Sequence, residues 1–395
     1  MGLNILYTVL SYPPAIGGGQ AAVHRIAKEM LQRGHQARVI SQWSTQRDSY
    51  VLGSTVFGGP CKSYSWEGVP VHRLGFHCGT RLRMAPWAAA YRALRDASTR
   101  RISALMEPYY EAAAGQPDLV HVARMGAEFL VVAALHFARR RNVPFVLTPY
   151  HHPCWDGPQP GAYDAIYREA DAVIALTTHE AQTLVARKGV EADRVHVTGA
   201  GPALAEEFSV ERFRRTYGIA GPYVLFLGRL ARYKGYMALM RAAPQVWRQF
   251  PDVTFVFAGL RNLRSGITFM SVHDRRIRSI GAVDQKSKTA ALAGCELLCV
   301  PSTQESFGIV FCEAWTLGKP VIGGRIGPVA SVIEDGKDGL LSSQDPDELA
   351  EKIRWLLARP NAAAAMGERG RRKVLERYTW PRLAEQTLGV YRSVL

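Results

Sequence analysis

Residues 305–313 read Glu-Ser-Phe-Gly-Ile-Val-Phe-Cys-Glu, and this stretch decides how the rest of the chain is interpreted. An apolar strand candidate over 297–300 precedes it, and a helical run over 313–317 follows. Backbone N–H groups at a helix start after such a turn bind anions. The two carboxylates, Glu305 and Glu313, flank this anion site and can accept hydroxyl groups on either side of it. That layout suits a diphosphate with a sugar at each end, as in a nucleotide sugar.

The bulk composition sets the class of protein. The chain has 395 residues, 47% of them hydrophobic, which predicts two domains with sizeable cores. Its net charge of +15 favours an anionic partner. No run of 18 apolar residues occurs, so we predict no membrane span. The N-terminus has no basic leader and the six cysteines are scattered, so we expect a cytoplasmic protein with reduced thiols.

A basic segment over 73–101 holds seven arginines and one acid. Apolar residues recur in and after it at helical spacing: Met84, Trp87, Tyr91, Leu94, Ile102 and Leu105. One interpretation is a helix that binds an acidic acceptor or makes peripheral contact with an anionic membrane, on its inner face. The other is a helix that faces the core and carries a solvated arginine flank. We expect no nucleic-acid partner, because no nucleic-acid-binding motif is present.

Two series of alternating strands and helices run along the chain. The first has strand candidates at 4–9, 37–41, 70–74, 118–122, 144–148, 172–176 and 195–198, with helices that include 20–33 and 127–140. The second has strands at 223–227, 253–258, 277–283, 297–300, 320–323 and 340–341, and helices at 235–250, 286–293, 313–317, 346–358 and 362–377. This alternation predicts an α/β protein with two Rossmann-like parallel sheets.

Several motifs occur in an order that resembles one enzyme family. They are Gly17-Gly18-Gly19, Gly228-Arg229-Leu230, Lys234-Gly235 and the pair Glu305 and Glu313. Together they resemble the retaining glycosyltransferases of family 4 with their E-x7-E signature. The resemblance implies the GT-B fold, in which two Rossmann-like domains face a cleft. It implies an acceptor domain over 1–205, a donor domain over 206–379, and a final helix over 380–395 that packs back on the first domain.

The same resemblance implies roles for single residues. Arg229 and Lys234 would hold the donor pyrophosphate and stabilise the leaving phosphate. Glu313 would accept two ribose hydroxyls, and Glu305 would face the donor sugar. The remaining donor-binding candidates are Gly17, Gly18, Gly19, Val283, Ser306, Phe307, Gly308, Ile309 and Val310.

The catalytic histidine of the family is expected at the end of the strand over 144–148. Tyr150 aligns most simply with that position, and His151 and His152 follow it. Both histidines are therefore catalytic candidates, and a structural role in the loop is the alternative. Ser331 stands where the family often has Glu, which leaves the choice of sugar open.

A metal site is not expected. The DxD-like match, Asp345-Pro346-Asp347, places proline at the predicted first position of a helix, which makes Asp345 an N-cap. We expect no cofactor, since the nucleotide sugar is a substrate.

The resulting hypothesis is a retaining glycosyltransferase. It would move a sugar from a UDP- or GDP-sugar donor to a saccharide, lipid-linked or small-molecule acceptor. Two alternatives stay open, a nucleotide-sugar epimerase of similar fold and, less favoured, a nucleic-acid-binding protein.

Overall fold

The computed structural model describes residues 2–15, 17–43, 50–123, 128–151 and 161–395. The chain forms two compact units, one of residues 1–199 with 380–395 and the other of residues 200–379. The boundary predicted after residue 205 lies six residues beyond this division.

The first unit is built on an eight-stranded sheet. Its strands are β1 (Asn4–Ser11), β2 (Gln36–Trp43), β3 (Lys62–Trp66), β4 (Val69–Arg73), β5 (Leu119–Ala123), β6 (Phe145–Thr148), β7 (Ala172–Ala175) and β8 (Val195–Val197). Their order is β3-β4-β2-β1-β5-β6-β7-β8. The pairs from β4 to β8 are parallel, as predicted for a Rossmann-like sheet.

The outermost strand, β3, was not predicted, and its pairing with β4 is antiparallel. The two strands are joined by Glu67 and Gly68, whose φ angles are 46° and 86°. Two successive residues at positive φ are typical of the tight hairpin turn that matches strand twist. The expectation of a purely parallel sheet is therefore wrong at this edge.

Helices cover both faces of the first sheet. They are α1 (Gly18–Gln32), α2 (Tyr50–Ser54), α3 (Cys78–Ala90), α4 (Arg95–Ala114), α5 (Glu128–Arg141), α6 (Gly161–Glu169), α7 (Thr178–Lys188) and α16 (Trp380–Val394). Buried apolar residues form one cluster on each side of the sheet. Across the ranges described above, no helix is long and apolar enough to cross a membrane.

The predicted single helical face over residues 84–105 is wrong. The helix breaks between Ala90 and Arg95, so the apolar residues belong to two helices. Met84 and Ile102 are fully buried in the core, while Leu94 in the break is 54% exposed. The core-facing interpretation thus describes most of this apolar set, because α3 and α4 bury these side chains in the apolar core of the first unit.

The C-terminal helix α16 packs on the first unit through a buried polar chain. The Tyr391 hydroxyl lies 2.6 Å from Nδ1 of His121 and 3.1 Å from the Tyr7 hydroxyl. Burial lowers the pKa of His121 to about 3, so its imidazole is neutral and accepts or donates hydrogen bonds without charge. Leu388 adds apolar contact with the same core.

The second unit is built on a six-stranded parallel sheet. Its strands are β9 (Tyr223–Leu227), β10 (Thr254–Ala258), β11 (Ile277–Gly281), β12 (Leu297–Val300), β13 (Val321–Gly324) and β14 (Leu340–Ser342), in the order β11-β10-β9-β12-β13-β14. Its helices are α8 (Val210–Tyr217), α9 (Tyr236–Trp247), α10 (Leu263–Met270), α11 (Gln285–Gly294), α12 (Ile309–Thr316), α13 (Gly327–Ala330), α14 (Pro346–Leu357) and α15 (Pro360–Arg377). The prediction of two Rossmann-like parallel-sheet units is confirmed.

Candidate active site

The candidate site of the second unit lies where its strand order reverses. From β9 the chain builds the sheet outward through β10 and β11, then returns to place β12 on the other side of β9. In open α/β sheets, ligands bind beyond the carboxyl ends of the strands at such a reversal. The segments that follow β9 and β12 carry Arg229, Lys234 and Glu305. The topology therefore brings these three residues to the same end of neighbouring strands.

Lys234 and Glu305 form an ion pair at this edge. Nζ of Lys234 lies 2.5 Å from Oε1 of Glu305, and both side chains are mostly buried. The Ser302 hydroxyl donates to the same oxygen over 3.1 Å. The structure thus joins two residues that lie 71 positions apart, and a cation and a hydroxyl both approach one carboxylate oxygen.

The turn that carries Lys234 is tied to the chain that leaves β12. The side-chain amide of Gln344 donates to the carbonyl oxygens of Tyr233 and Pro301, at 3.0 and 2.9 Å. Gly235 has a φ of 85°, and a Cβ there would lie 2.6 Å from the Pro301 carbonyl oxygen. Only glycine fits this close approach at positive φ. The Lys234 backbone is therefore held in place by its surroundings.

Helix α12 starts earlier than expected. Gly308 occupies the N-cap position at φ 87°, and a Cβ there would lie 2.5 Å from the Phe311 ring. The helix begins at Ile309, so the predicted start at residue 313 is wrong and Glu313 lies in the second turn. The amides of Ile309 and Val310 lie in the first turn, where N–H groups have no intrahelical acceptor and favour anions.

Glu313 is paired with a lysine that the sequence analysis missed. Nζ of Lys288 lies 2.6 Å from Oε1 of Glu313 and 2.6 Å from the Ala203 carbonyl oxygen. The Ala203 amide donates to the same carboxylate oxygen over 3.3 Å. Lys288 belongs to α11, on a different element from the E-x7-E stretch, so no spacing in the sequence could have found it.

The other predicted donor-binding residues differ in what they can offer. Arg229 is exposed, and its guanidinium has no hydrogen bond or ion pair among the described residues. The Phe307 side chain is buried and meets the Tyr378 ring edge-on at 5.3 Å, so only its backbone can face a ligand. Ser306 is buried beside it. Val283 is half-buried two residues after β11, and the sheet edge places it away from the strand reversal.

In the first unit, the glycine loop follows β1, where the order of that sheet also reverses. Gly17 is the N-cap of α1, and Gly18 and Gly19 are its first residues. A Cβ on Gly19 would lie 3.8 Å from the Tyr150 ring. Tyr150 itself has a φ of 52°, which is uncommon for a residue with a side chain. The structure thus places Tyr150 beside the glycine loop.

His151 lies inside the first unit. Its side chain is buried, and its ring meets the Tyr167 ring edge-on with centroids 6.3 Å apart. Its amide donates to Oε1 of Glu180 over 2.7 Å. The second candidate, His152, lies outside the described residues.

Glu180 is a second residue that sequence reasoning missed. Its Oε2 accepts the Leu176 amide at 2.7 Å, so the carboxyl group bridges the ends of β6 and β7. Burial raises its pKa to about 7, against the opposing effect of the two amide hydrogen bonds. The spacing of Thr177, which caps α7, and Glu180 is that of a capping box and could have drawn attention to it.

The DxD-like segment is a helix cap. Asp345 accepts the amides of Asp347 and Glu348 at 2.7 and 3.3 Å, and Pro346 is the first residue of α14. Among the residues that the structure describes, no group of three or more His, Cys, Asp or Glu side chains is arranged to hold a metal ion.

Family models and curated relatives match nearly the whole chain. The model described as "Glycosyl transferase 4-like domain" matches residues 17–201, and "Glycosyl transferases group 1" matches residues 209–373. The chain belongs to glycosyltransferase family 4. This confirms the resemblance on which the sequence analysis relied, and with it the prediction of a glycosyltransferase that uses a nucleotide-sugar donor.

Two curated relatives illustrate what this glycosyltransferase is similar to. It is 28% identical to the D-inositol 3-phosphate glycosyltransferase of Acidothermus cellulolyticus, over 96% of this chain and 86% of that protein. It is 27% identical to the phosphatidyl-myo-inositol mannosyltransferase of Mycolicibacterium smegmatis, over 96% of this chain and 90% of that protein. Neither an epimerase nor a nucleic-acid-binding protein is favoured by these matches.

Solved structures share the fold of this glycosyltransferase. Sucrose-phosphate synthase from Thermosynechococcus elongatus superimposes with a TM-score of 0.74 at 19% identity, covering 99% of each chain. Anabaena HepE, solved with UDP and glucose, superimposes with a TM-score of 0.71 at 18% identity, covering 99% of this chain and 100% of its own.

Proposed function

We propose that this glycosyltransferase binds the diphosphate of a nucleotide sugar in the second unit, at the strand reversal between β9 and β12. The observation that carries the proposal is the pair of lysine–carboxylate contacts, Lys234 with Glu305 and Lys288 with Glu313, on either side of the α12 N-terminus. Each pair neutralises itself without a ligand. When the donor binds, a diphosphate oxygen can replace the carboxylate as the partner of the lysine. A sugar hydroxyl can then donate to the carboxylate in place of the lysine.

The residues proposed to bind the nucleotide sugar have different roles according to their charge. Arg229, Lys234 and the first amides of α12 would hold the diphosphate and stabilise the charge that builds on it as the glycosidic bond breaks. Glu313 would accept the ribose hydroxyls, and Glu305 would orient the donor sugar. These protein cations supply the charge that a divalent ion would otherwise provide, so the proposal needs no metal.

We further propose that transfer retains the anomeric configuration by attack on the same face. In this mechanism the leaving phosphate takes the proton of the acceptor hydroxyl. Glu180 gives no support to a carboxylate nucleophile from the first unit, because it is buried and both of its oxygens accept backbone amides.

The acceptor is proposed to be anionic, either a phosphorylated polyol or a lipid-borne saccharide or polyol. The net charge of +15 supports this, as do the names of the two inositol-phosphate-related relatives. A cytoplasmic enzyme that meets its acceptor at the inner face of a membrane fits both the positive net charge and a lipid-borne acceptor.

Thermal unfolding with added nucleotides tests the donor site. UDP, GDP and ADP would each be added to the wild type and to Lys234→Ala. Saturation at about a hundred times the dissociation constant adds about 2.7 kcal/mol of stability, so one of UDP or GDP should raise the unfolding temperature clearly. The shift should shrink in the variant. If no nucleoside diphosphate stabilises the wild type, the donor-site proposal is wrong.

The mechanism is tested on the product. The corresponding nucleotide sugar and a phosphorylated polyol would be incubated with the enzyme, and proton NMR would give the anomeric configuration before and after transfer. The same configuration is expected in both. An inverted product would contradict same-face attack, and a new sugar isomer formed from donor alone would favour an epimerase.

A further inference from the structure

Helix α10 of the second unit carries its large apolar side chains outward. Leu263, Ile267 and Met270 are 84%, 58% and 81% exposed. They stand at positions i, i+4 and i+7, so they form one stripe along the helix. A stripe of this kind normally faces the core, and here it faces away from it.

The opposite side of α10 holds the helix in the unit. Ser265 is fully buried and forms a reciprocal capping box with Asn262. Phe269 stacks on Tyr236 with ring centroids 5.7 Å apart and lies 5.2 Å from Phe257. The outward residues are therefore not needed for packing, and the helix presents them from a fixed base.

The same segment is strongly basic. Residues 259–283 contain five arginines and one acid, Asp274. Asp274 is already paired with Arg276 at 2.7 Å. Arg264, Arg275 and Arg278 are exposed. An exposed apolar stripe thus shares its segment with arginines whose charge is not balanced locally.

We propose that α10 is a docking surface for an anionic lipid bilayer. An amphipathic helix with basic flanks lies at the boundary between headgroups and acyl chains, and its affinity rises with anionic lipid. The proposal rests on the proposed function and deepens it, because it names the surface by which the enzyme would reach a lipid-borne acceptor.

A second copy of the chain is a poorer occupant. A two-fold dimer contact sets each patch against itself. Since the segment carries an excess of arginines, such a contact would bring like charges together. An anionic bilayer offers instead both an apolar layer for Leu263, Ile267 and Met270 and opposite charge for the arginines.

The arginine-rich segment over residues 73–101 is the natural comparison. It has more arginines, but Met84, Tyr91 and Ile102 from its apolar set are buried in the core of the first unit. Leu82 and Leu94 stay exposed there, at 74% and 54%. They supply a matched control, because they too are exposed leucines in a basic segment.

Vesicle co-sedimentation of the full-length protein tests the proposal. Vesicles of phosphatidylglycerol and phosphatidylcholine in equal parts would be compared with pure phosphatidylcholine. The wild type should sediment with the anionic vesicles only, and added salt should release it. The triple variant Leu263→Ser, Ile267→Ser, Met270→Ser should bind at least about tenfold more weakly. Each substitution removes an apolar side chain that would be buried in the bilayer. The control Leu82→Ser, Leu94→Ser should bind like the wild type.

Several outcomes would overturn the assignment. The assignment is wrong if the wild type does not sediment with anionic vesicles. It is also wrong if the triple variant binds as well as the wild type, or if only the control variant loses binding. A concentration-dependent dimer that the triple variant abolishes would make a second copy the occupant. Nucleotide-induced thermal shifts, measured on the same proteins, should not change in either variant. A missing shift in the wild type would count against the donor site and leave the vesicle result standing.

Discussion

The carboxylates of the two units use the same chemistry in different ways. In the second unit, Glu305 and Glu313 each contact a lysine from another element. In the first unit, Glu180 is fully buried and holds two backbone amides, with no ion pair among the described residues. A carboxylate paired with a side-chain cation can exchange that partner for a ligand. A carboxylate bound to amides holds the chain in place, so the two kinds should respond differently to the same substitution.

The largest effect is expected at Lys234. Replacing it in Lys234→Ala removes a cation from the proposed diphosphate site, and one missing group of this kind costs about 3–4 kcal/mol in barrier. Turnover should fall by a factor on the order of 10²–10³ while circular dichroism stays unchanged. The control is Lys286→Ala, since the Lys286–Glu207 pair is highly exposed and should matter little. Full turnover in Lys234→Ala would remove Lys234 from the mechanism.

Glu313→Gln should act on donor binding. The neutral amide accepts ribose hydroxyl hydrogen bonds less strongly than the carboxylate does, and a hydrogen bond to a charged group contributes about 1.5–3 kcal/mol. The donor dissociation constant, measured by calorimetry, should rise by a factor of roughly ten to a hundred. Glu207→Gln is the matched control on the surface. Unchanged donor affinity in Glu313→Gln would show that Glu313 pairs with Lys288 and does not bind the donor.

Glu180→Gln should act on stability rather than on the donor. A glutamine offers one acceptor oxygen where the carboxylate offers two, so one of the His151 and Leu176 amides loses its partner. Chemical denaturation should show a loss of about 1–2 kcal/mol, with donor affinity unchanged. Glu191→Gln, at an exposed ion pair of the same unit, is the control. A large loss of donor affinity without loss of stability would place Glu180 among the ligand-binding groups instead.

The last expected effect is a pH dependence of stability. Burial raises the pKa of Glu180 from 4.5 to about 7. Between these values the folded chain keeps a proton that the unfolded chain has released, so this group makes stability fall as pH rises from 4.5 to 7. One proton gives a slope of at most about 1.4 kcal/mol per pH unit. The slope should disappear from denaturation curves of Glu180→Gln, and identical slopes in the two proteins would contradict the assignment.

Much of the fold could be predicted because its signals are local. Apolar runs of strand length, helical spacing and glycine at turns each depend on residues a few positions apart. The two series of strands and helices follow from such signals, as does the strand, turn and helix around Glu305. The strand β3 was missed although Tyr64 and Trp66 alternate with Ser63 and Ser65 before the two-residue turn, because the run is only five residues long and contains no aliphatic residue.

The candidate site could be predicted only in part. The family motifs pointed to Arg229, Lys234, Glu305 and Glu313, and the order of the sheet brings their segments to one edge. Lys288 is a single residue on another helix, and no linear pattern connects it to Glu313. The capping-box spacing of Thr177 and Glu180 marks Glu180, but it does not reveal the contact with the His151 amide. His151 was a candidate from its position after a strand, yet its ring is buried against Tyr167.

The sequence by itself determined the two Rossmann-like units, the family and the stretch that binds the donor in our proposal. Only the tertiary structure decided which lysine meets which carboxylate, that the apolar residues around Met84 turn inward, and that those of α10 turn outward. The reason is physical. Periodicity shows that a helix has an apolar face, but what lies against that face depends on elements far away in the chain.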